Sequence, residues 1–196
     1  MLVGFFETEG APWNPSEIPH DFSFGILEPD WDRMAPYLES AMERLSPDLQ
    51  NVGIKTFFCG PESFTPDNAP VVGPAPHLHN YYVAAGLNSV GILTGGGIGK
   101  TLAQWIRNNG ISPVDLDTSS IHINRFHKHQ ANQQYREERV TEALGNTYRL
   151  LYPDHQPHTA RGAKKSALHD RLVAQNAYLK DVSGWESTNW YAPPGV

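Results

Sequence analysis

Residues 80–109, NYYVAAGLNSVGILTGGGIGKTLAQWIRNN, hold the densest chemistry of the chain. An apolar run from Tyr81 to Ala85 leads into small residues from Gly86 to Gly97, and Ile98, Leu102, Trp105 and Ile106 then recur at helical spacing. That order reads as a strand, a glycine-lined turn and an amphipathic helix. A turn feeding a helix N-terminus leaves backbone N–H groups unpaired, in an electropositive setting that suits a phosphate or the electron-rich edge of a ring. Two nucleotide motifs compete for the stretch, and neither fits. Gly99-Lys100-Thr101 supplies the end of a P-loop, but Thr94 stands where its first glycine belongs. Gly95 and Gly97 begin a Gly-x-Gly-x-x-Gly fingerprint, and Lys100 occupies its last place. A purely structural reading stays open: glycines that let a helix start pack closely on a sheet.

Elsewhere the reactive residues are sparser. Cys59 is the single cysteine, so no internal disulfide forms, which fits a reducing compartment; of a reactive thiol and a buried, inert one, the second is expected. His122, His127 and His129 lack a zinc spacing and have no cysteine nearby, so no metal site is expected there. Arg161, Lys164 and Lys165 read as the solvated start of a helix.

The elements that must position these residues are mixed. Leu2 to Glu7 reads as a strand, followed by a proline-rich loop through Pro19. Met34, Leu38, Ala41 and Leu45 define the buried face of a helix over Trp31 to Leu45. Further strands are expected near Ile54 to Phe58 and at Tyr81 to Ala85, with helices around Ala131 to Leu144 and Lys164 to Lys180. Residues 1–115 carry 13 acidic against 5 basic side chains, and residues 116–196 carry 8 against 10. That change coincides with Ile111-Ser112-Pro113-Val114-Asp115-Leu116-Asp117, a plausible linker, and divides the chain into domains 1–115 and 116–196. A net charge of -6 argues against a nucleic-acid partner. No apolar run approaches the length of a membrane span.

Three groups of residues carry a family resemblance. Gly60-Pro61-Glu62-Ser63-Phe64-Thr65-Pro66-Asp67, Asn80 through Ser89 and Gly95-Gly96-Gly97-Ile98-Gly99-Lys100 resemble the flavin-dependent amine oxidoreductases of the dimethylglycine and sarcosine dehydrogenase type. That line also includes the regulatory subunit of pyruvate dehydrogenase phosphatase. Ala160-Arg161-Gly162, Ser166 through Leu172, Gly184-Trp185-Glu186 and Asn189-Trp190-Tyr191 resemble the central domain that follows the oxidoreductase domain. The resemblance implies an α+β fold: the C-terminal part of a D-amino-acid-oxidase-like FAD-dependent oxidoreductase domain, then a smaller central domain. It also implies an internal piece of a longer polypeptide, with most FAD contacts, and any folate site, in regions outside this chain. The chain alone is not expected to turn over substrate.

In the family, the turn between the last strand and the last helix approaches the flavin, which maps onto Gly86, Leu87, Asn88, Ser89, Val90, Gly91 and Ile92. Backbone donors there would favour the negative charge that gathers on the ring when it accepts a hydride. Asn88 either adds a ligand hydrogen bond or bonds its own turn. Lys100 either sets a cation near the flavin pyrimidine or is a solvent-facing lysine of the first helical turn. Phe5 and Phe6 alternate faces, one toward a methylated amine and one toward the core, with Glu7 an outside candidate for the amine's charge. Trp185, Trp190 and Tyr191 are expected to plug a domain interface. No catalytic residue is assigned. The substrate implied is a small methylated amine and the electron acceptor stays open; the compartment is the cytoplasm in a bacterium or the mitochondrial matrix in a eukaryote.

Overall fold

The computed structural model describes residues 2–13, 17–112 and 115–195; parts of the proline-rich loop and of the expected linker lie outside the described residues. Helix α1 (Trp31–Leu45) starts where Asp30 accepts the Arg33 N–H at 2.9 Å. Met34, Leu38 and Ala41 are half-buried as their spacing predicts, but Leu45 is exposed. The helix is tied to the N-terminal segment, where the Tyr37 hydroxyl accepts from Thr8 N–H at 3.0 Å and Arg33 pairs with Glu7 at 3.4 Å.

That segment is not a strand. Residues 2–7 pair with no strand among the described residues, and the chain runs on as a strap from α1 to helix α3 (Gln133–Asn146), where Gly10 N–H donates to Thr141 O at 3.2 Å. Phe6 meets Tyr148 edge to face at 4.5 Å, so it belongs to this contact. The strand expected at Ile54 to Phe58 is also absent. Only the isolated bridge between Leu27 and Cys59 forms there, while Phe57 turns to Trp31 at 4.4 Å. Cys59 is exposed, not buried as expected, because nothing covers a two-residue bridge as it would a sheet.

The hairpin of β1 (Val71–Pro74) and β2 (Tyr82–Ala85) is antiparallel, in the register Val71 to Ala85 and Pro74 to Tyr82. Helix α2 (Gly91–Arg107) lies against it, and Val72 and Trp105 are fully buried between them. Along the other side of β1 runs Ile121-His122, with Val72 N–H donating to Ile121 O at 2.9 Å.

The last third is less helical than its periodicity predicts. Of Lys164 to Lys180 only α4 (His169–Ala174) is helical, and β3 (Ala177–Val182) then pairs with β4 (Trp185–Tyr191). Ser183 and Gly184 both take positive φ (51° and 83°), as a two-residue hairpin turn matched to strand twist requires. Nor does the Arg161 cluster start a helix. Arg161 forks onto the buried Glu186 carboxylate, which also accepts Gly162 N–H at 2.6 Å, and its other donors reach Pro157 O and Leu179 O. From α3, Glu142 accepts the amides of His158 and Thr159 and the Thr159 hydroxyl, and Arg139 meets Thr159 O and Asp181.

These contacts make the fold acid-sensitive. The Arg161 hydrogen bond holds the Glu186 carboxyl below its usual range. Burial alone would raise the Glu142 carboxyl, but the Thr159 and His158 donors bring it below its usual value. A carboxyl lowered on folding contributes stability above its unfolded value, about 4.5 here, and loses it as pH falls through the folded value. Urea midpoints should therefore fall from pH 6 to pH 3, and Glu142→Gln should flatten that fall.

Exposed surface totals 14248 Å², against about 9,300 Å² for a compact chain of 21.8 kDa. Among the described residues the buried apolar side chains are Val72, Trp105, Tyr135 and Ala143, while Ile92, Leu93 and Phe24 stand out in solvent.

Candidate functional site

The turn between β2 and α2 is built around Asn88. Its side chain is 3% exposed; Oδ1 accepts Thr65 N–H at 2.8 Å, and Nδ2 donates to Gly86 O at 2.7 Å. Asn88 N–H donates to Ser63 O, and the Ser89 hydroxyl donates to Glu62 at 2.8 Å. Loop 60–67 and the turn, far apart in sequence, are thus clasped side by side. Gly86 (φ +62°), Asn88 (φ 49°) and Ser89 (φ 64°) are left-handed, which folds the chain sharply enough to end β2 and start α2 within a few residues. The Asn88 amide thus serves the turn.

Helix α2 begins at Gly91, so Gly95, Gly96, Gly97 and Gly99 lie inside it and not in the turn expected from Gly86 to Gly97. Glycine permits a helix without favouring one, and packing of Thr101 and Trp105 carries this one through. Lys100 lies further along the helix as well. It is exposed on a later turn of the helix, about 13 Å along the axis from Gly91 at 1.5 Å per residue. The structure does not bring it to the turn.

Val90 precedes the helix with no side-chain cap, and among the described residues the N–H groups of Gly91, Ile92 and Leu93 find no acceptor. The first helical bond is Thr94 N–H to Val90 O, at 3.0 Å. Leu87 lies against Gly91, where a Cβ would come within 3.1 Å of Leu87 Cδ1. Around Gly95, Gly96, Gly97 and Gly99 a Cβ would meet nothing within 4 Å. A row of unsatisfied donors beside an open glycine face fits the polar edge and flat surface of a fused ring. The described residues do not enclose such a ring. Two hollows lie elsewhere: about 290 Å³ along Arg149–His155, and about 250 Å³ between Phe5, Tyr37, Ala41 and Leu45.

The remaining candidates fall away from the turn. Glu7 is paired with Arg33. His122 sits edge-on to Trp105 at 5.5 Å with Nδ1 accepting Asn124 N–H, and burial together with Arg125 lowers its pKa. His127 stacks on His129 at 6.0 Å, and among the described residues no three metal-binding side chains gather. Trp190 stacks on Tyr178 at 5.2 Å, leaving both rings partly exposed on the β3–β4 face. Sequence reasoning missed Thr65, Asp67 and Arg125. Arg125 binds Asp67 through Nε at 2.6 Å and Nη2 at 2.9 Å, and reaches the carbonyls of Ala69 and Pro70. Asp67 in Thr65-Pro66-Asp67 was the available signal, as a short acidic loop needing a partner.

Comparison with known proteins bears on what this surface meets. The family described as FAD dependent oxidoreductase matches residues 2–105, and the FAD dependent oxidoreductase central domain matches residues 109–166. The chain is 40% identical to 4-methylaminobutanoate oxidase (formaldehyde-forming) of Paenarthrobacter nicotinovorans, over 100% of the chain and 23% of that protein. It is 36% identical to mitochondrial sarcosine dehydrogenase of Mus musculus, over 98% of the chain and 20% of that protein. The mitochondrial pyruvate dehydrogenase phosphatase regulatory subunit of Mus musculus is 34% identical, over 99% of the chain and 22% of that protein. The chain thus spans between a fifth and a quarter of the length of these relatives. No helix among the described residues is long and apolar enough to cross a membrane.

Proposed function

The chain belongs to the FAD dependent oxidoreductase family, and from that premise we propose that it forms part of a flavin-dependent dehydrogenase acting on N-methylated glycine-type amines such as sarcosine or dimethylglycine. The observation that carries the reading is a match along essentially the whole chain to relatives named for methylated-amine oxidation. Residues 1–115 then close a flavin-binding domain and residues 116–196 form the central domain; the two family matches meet between residues 105 and 109, which supports a boundary nearby. Its compartment is the cytoplasm in a bacterium or the mitochondrial matrix in a eukaryote.

In this reading the turn Gly86, Leu87, Asn88, Ser89, Val90, Gly91 and Ile92 faces FAD. Bound FAD supplies the acceptor for the hydride removed from the substrate C–H bond. The chain's own part is backbone. The free N–H groups at the start of α2 bind and orient the ring edge, and their fixed dipoles favour negative charge there. Exposed Ile92 and Leu93 add apolar surface beside that edge. Anaerobic addition of sarcosine or dimethylglycine to the complete protein should bleach its visible flavin absorbance. A colourless complete protein would favour the second reading, a non-catalytic regulatory homologue, which the similarity to the phosphatase regulatory subunit supports.

Gly91→Val should lower FAD occupancy of the complete protein more than Lys100→Ala. Valine forces Leu87 outward at the mouth of the turn, whereas Lys100 is exposed and distant from it. Bound FAD per protomer measures both; full occupancy in Gly91→Val with loss in Lys100→Ala would move the flavin to another part of α2.

A further inference from the structure

We propose that Arg125, which lies in the second part of the chain, is a positioning residue for the turn that faces FAD, acting through loop 65–70 and Asn88. The proposal rests on the reading of that turn given above. Arg125 Nη2 donates to Ala69 O at 2.7 Å, and the Thr65 hydroxyl donates to that same oxygen at 2.8 Å. The two Arg125–Asp67 bonds hold the carboxylate, whose Oδ1 also accepts Ala69 N–H at 3.2 Å. The middle and the C-terminal end of the loop are thereby fixed by one guanidinium, and the Thr65 hydroxyl joins the N-terminal end to them through Ala69 O. From the loop, Thr65 N–H passes to Asn88 Oδ1, and Asn88 Nδ2 passes to Gly86 O. Thr65 is 5% exposed and Asn88 3%, so water cannot replace a lost partner cheaply. Arg125 is itself held by Ile121 O and His122 O, the segment beside β1, and its side chain is 13% exposed.

The turn depends on its contacts, since Ser89 beside Asn88 occupies a left-handed conformation that serine rarely adopts. Without Arg125, Asp67 and Ala69 O lose their strongest donors, loop 65–70 relaxes, and Thr65 N–H no longer meets Asn88 at a fixed distance. The donors at the start of α2 then lose their fixed direction.

The test uses the complete flavoprotein, with hydrogen exchange followed on peptides covering residues 62–69 and FAD affinity followed by the fluorescence of released FAD. Arg125→Ala should speed exchange at Thr65 and weaken FAD binding by about fivefold or more, the usual lower bound for coupled sites. Asn88→Ala should do the same, and the double variant should bind FAD no worse than the poorer single one, because both cut one path. Asp67→Asn, which keeps shape and removes a charge, gives the same readouts if Arg125→Ala does not fold. Unchanged exchange at Thr65, or multiplicative losses in the double variant, would overturn the relay. Faster exchange with unchanged FAD affinity in both single variants would instead overturn the placement of the flavin at this turn.

Discussion

Arg161→Met should cost about 3 kcal/mol in urea unfolding at neutral pH, the usual loss when one partner of a buried ion pair is removed. Glu186 would keep Gly162 N–H but lose both guanidinium bonds, leaving a charge 8% exposed without its counter-ion. The backbone suffers too, since Arg161 also satisfies Pro157 O and Leu179 O. Arg161→Lys should recover only part of the loss, because a point charge cannot make the two-pronged contact and reach both carbonyls. The double variant Arg161→Met/Glu186→Met should be more stable than Arg161→Met alone, since no buried charge is then stranded. A double variant as weak as the sum of its singles would show that the backbone contacts, and not the ion pair, hold the hairpin to its loop.

Elements whose packing and caps are local were legible in the sequence. Helix α1 has the expected bounds because Asp30 caps it and Ser46-Pro47 ends it, all within one segment. Strand β2 and most of α3 follow for similar reasons. One reading that failed depends on partners distant in sequence, another on a local turn. Residues 2–7 have the apolar, aromatic make-up of a strand, but such a segment without a neighbour cannot form a ladder, and the chain just after it is held instead by α1 and α3 through Thr8 and Gly10. For Lys164 to Lys180 the apolar spacing suggests a helix, whereas Ser183-Gly184 between two strand-like runs is the hairpin mark that decides the local structure. Of the candidate site, the glycines and Asn88 were found by composition. What Asn88 does was not, because its partner Thr65 is 23 residues away and only the folded chain brings them together.

Gly86→Val should be the most damaging single change at the turn, and comparing it with Gly96→Ala separates fold from ligand. Gly86 has φ +62°, and its Cβ would lie 2.5 Å from Thr65 Cγ2, in a buried spot where Thr65 is already committed to Ala69 O and Asn88. A β-branched side chain in the left-handed region adds about 1–2 kcal/mol to an overpacking cost of about 1–3 kcal/mol, so a loss near 3 kcal/mol is expected in the chain alone. The complete protein should lose FAD as well, since moving Thr65 opens the Asn88 clasp. Gly96 is the converse case: it is helical, and a Cβ there meets nothing within 4 Å. In the chain alone, Gly96→Ala should stabilise α2 by about 0.5–1 kcal/mol. In the complete protein the same methyl group should lower FAD occupancy or stability, because five glycines in one 17-residue helix are costly unless another surface comes close to them. Gly96→Ala that stabilises both forms equally would leave the open glycine face without an occupant and remove it from the flavin site.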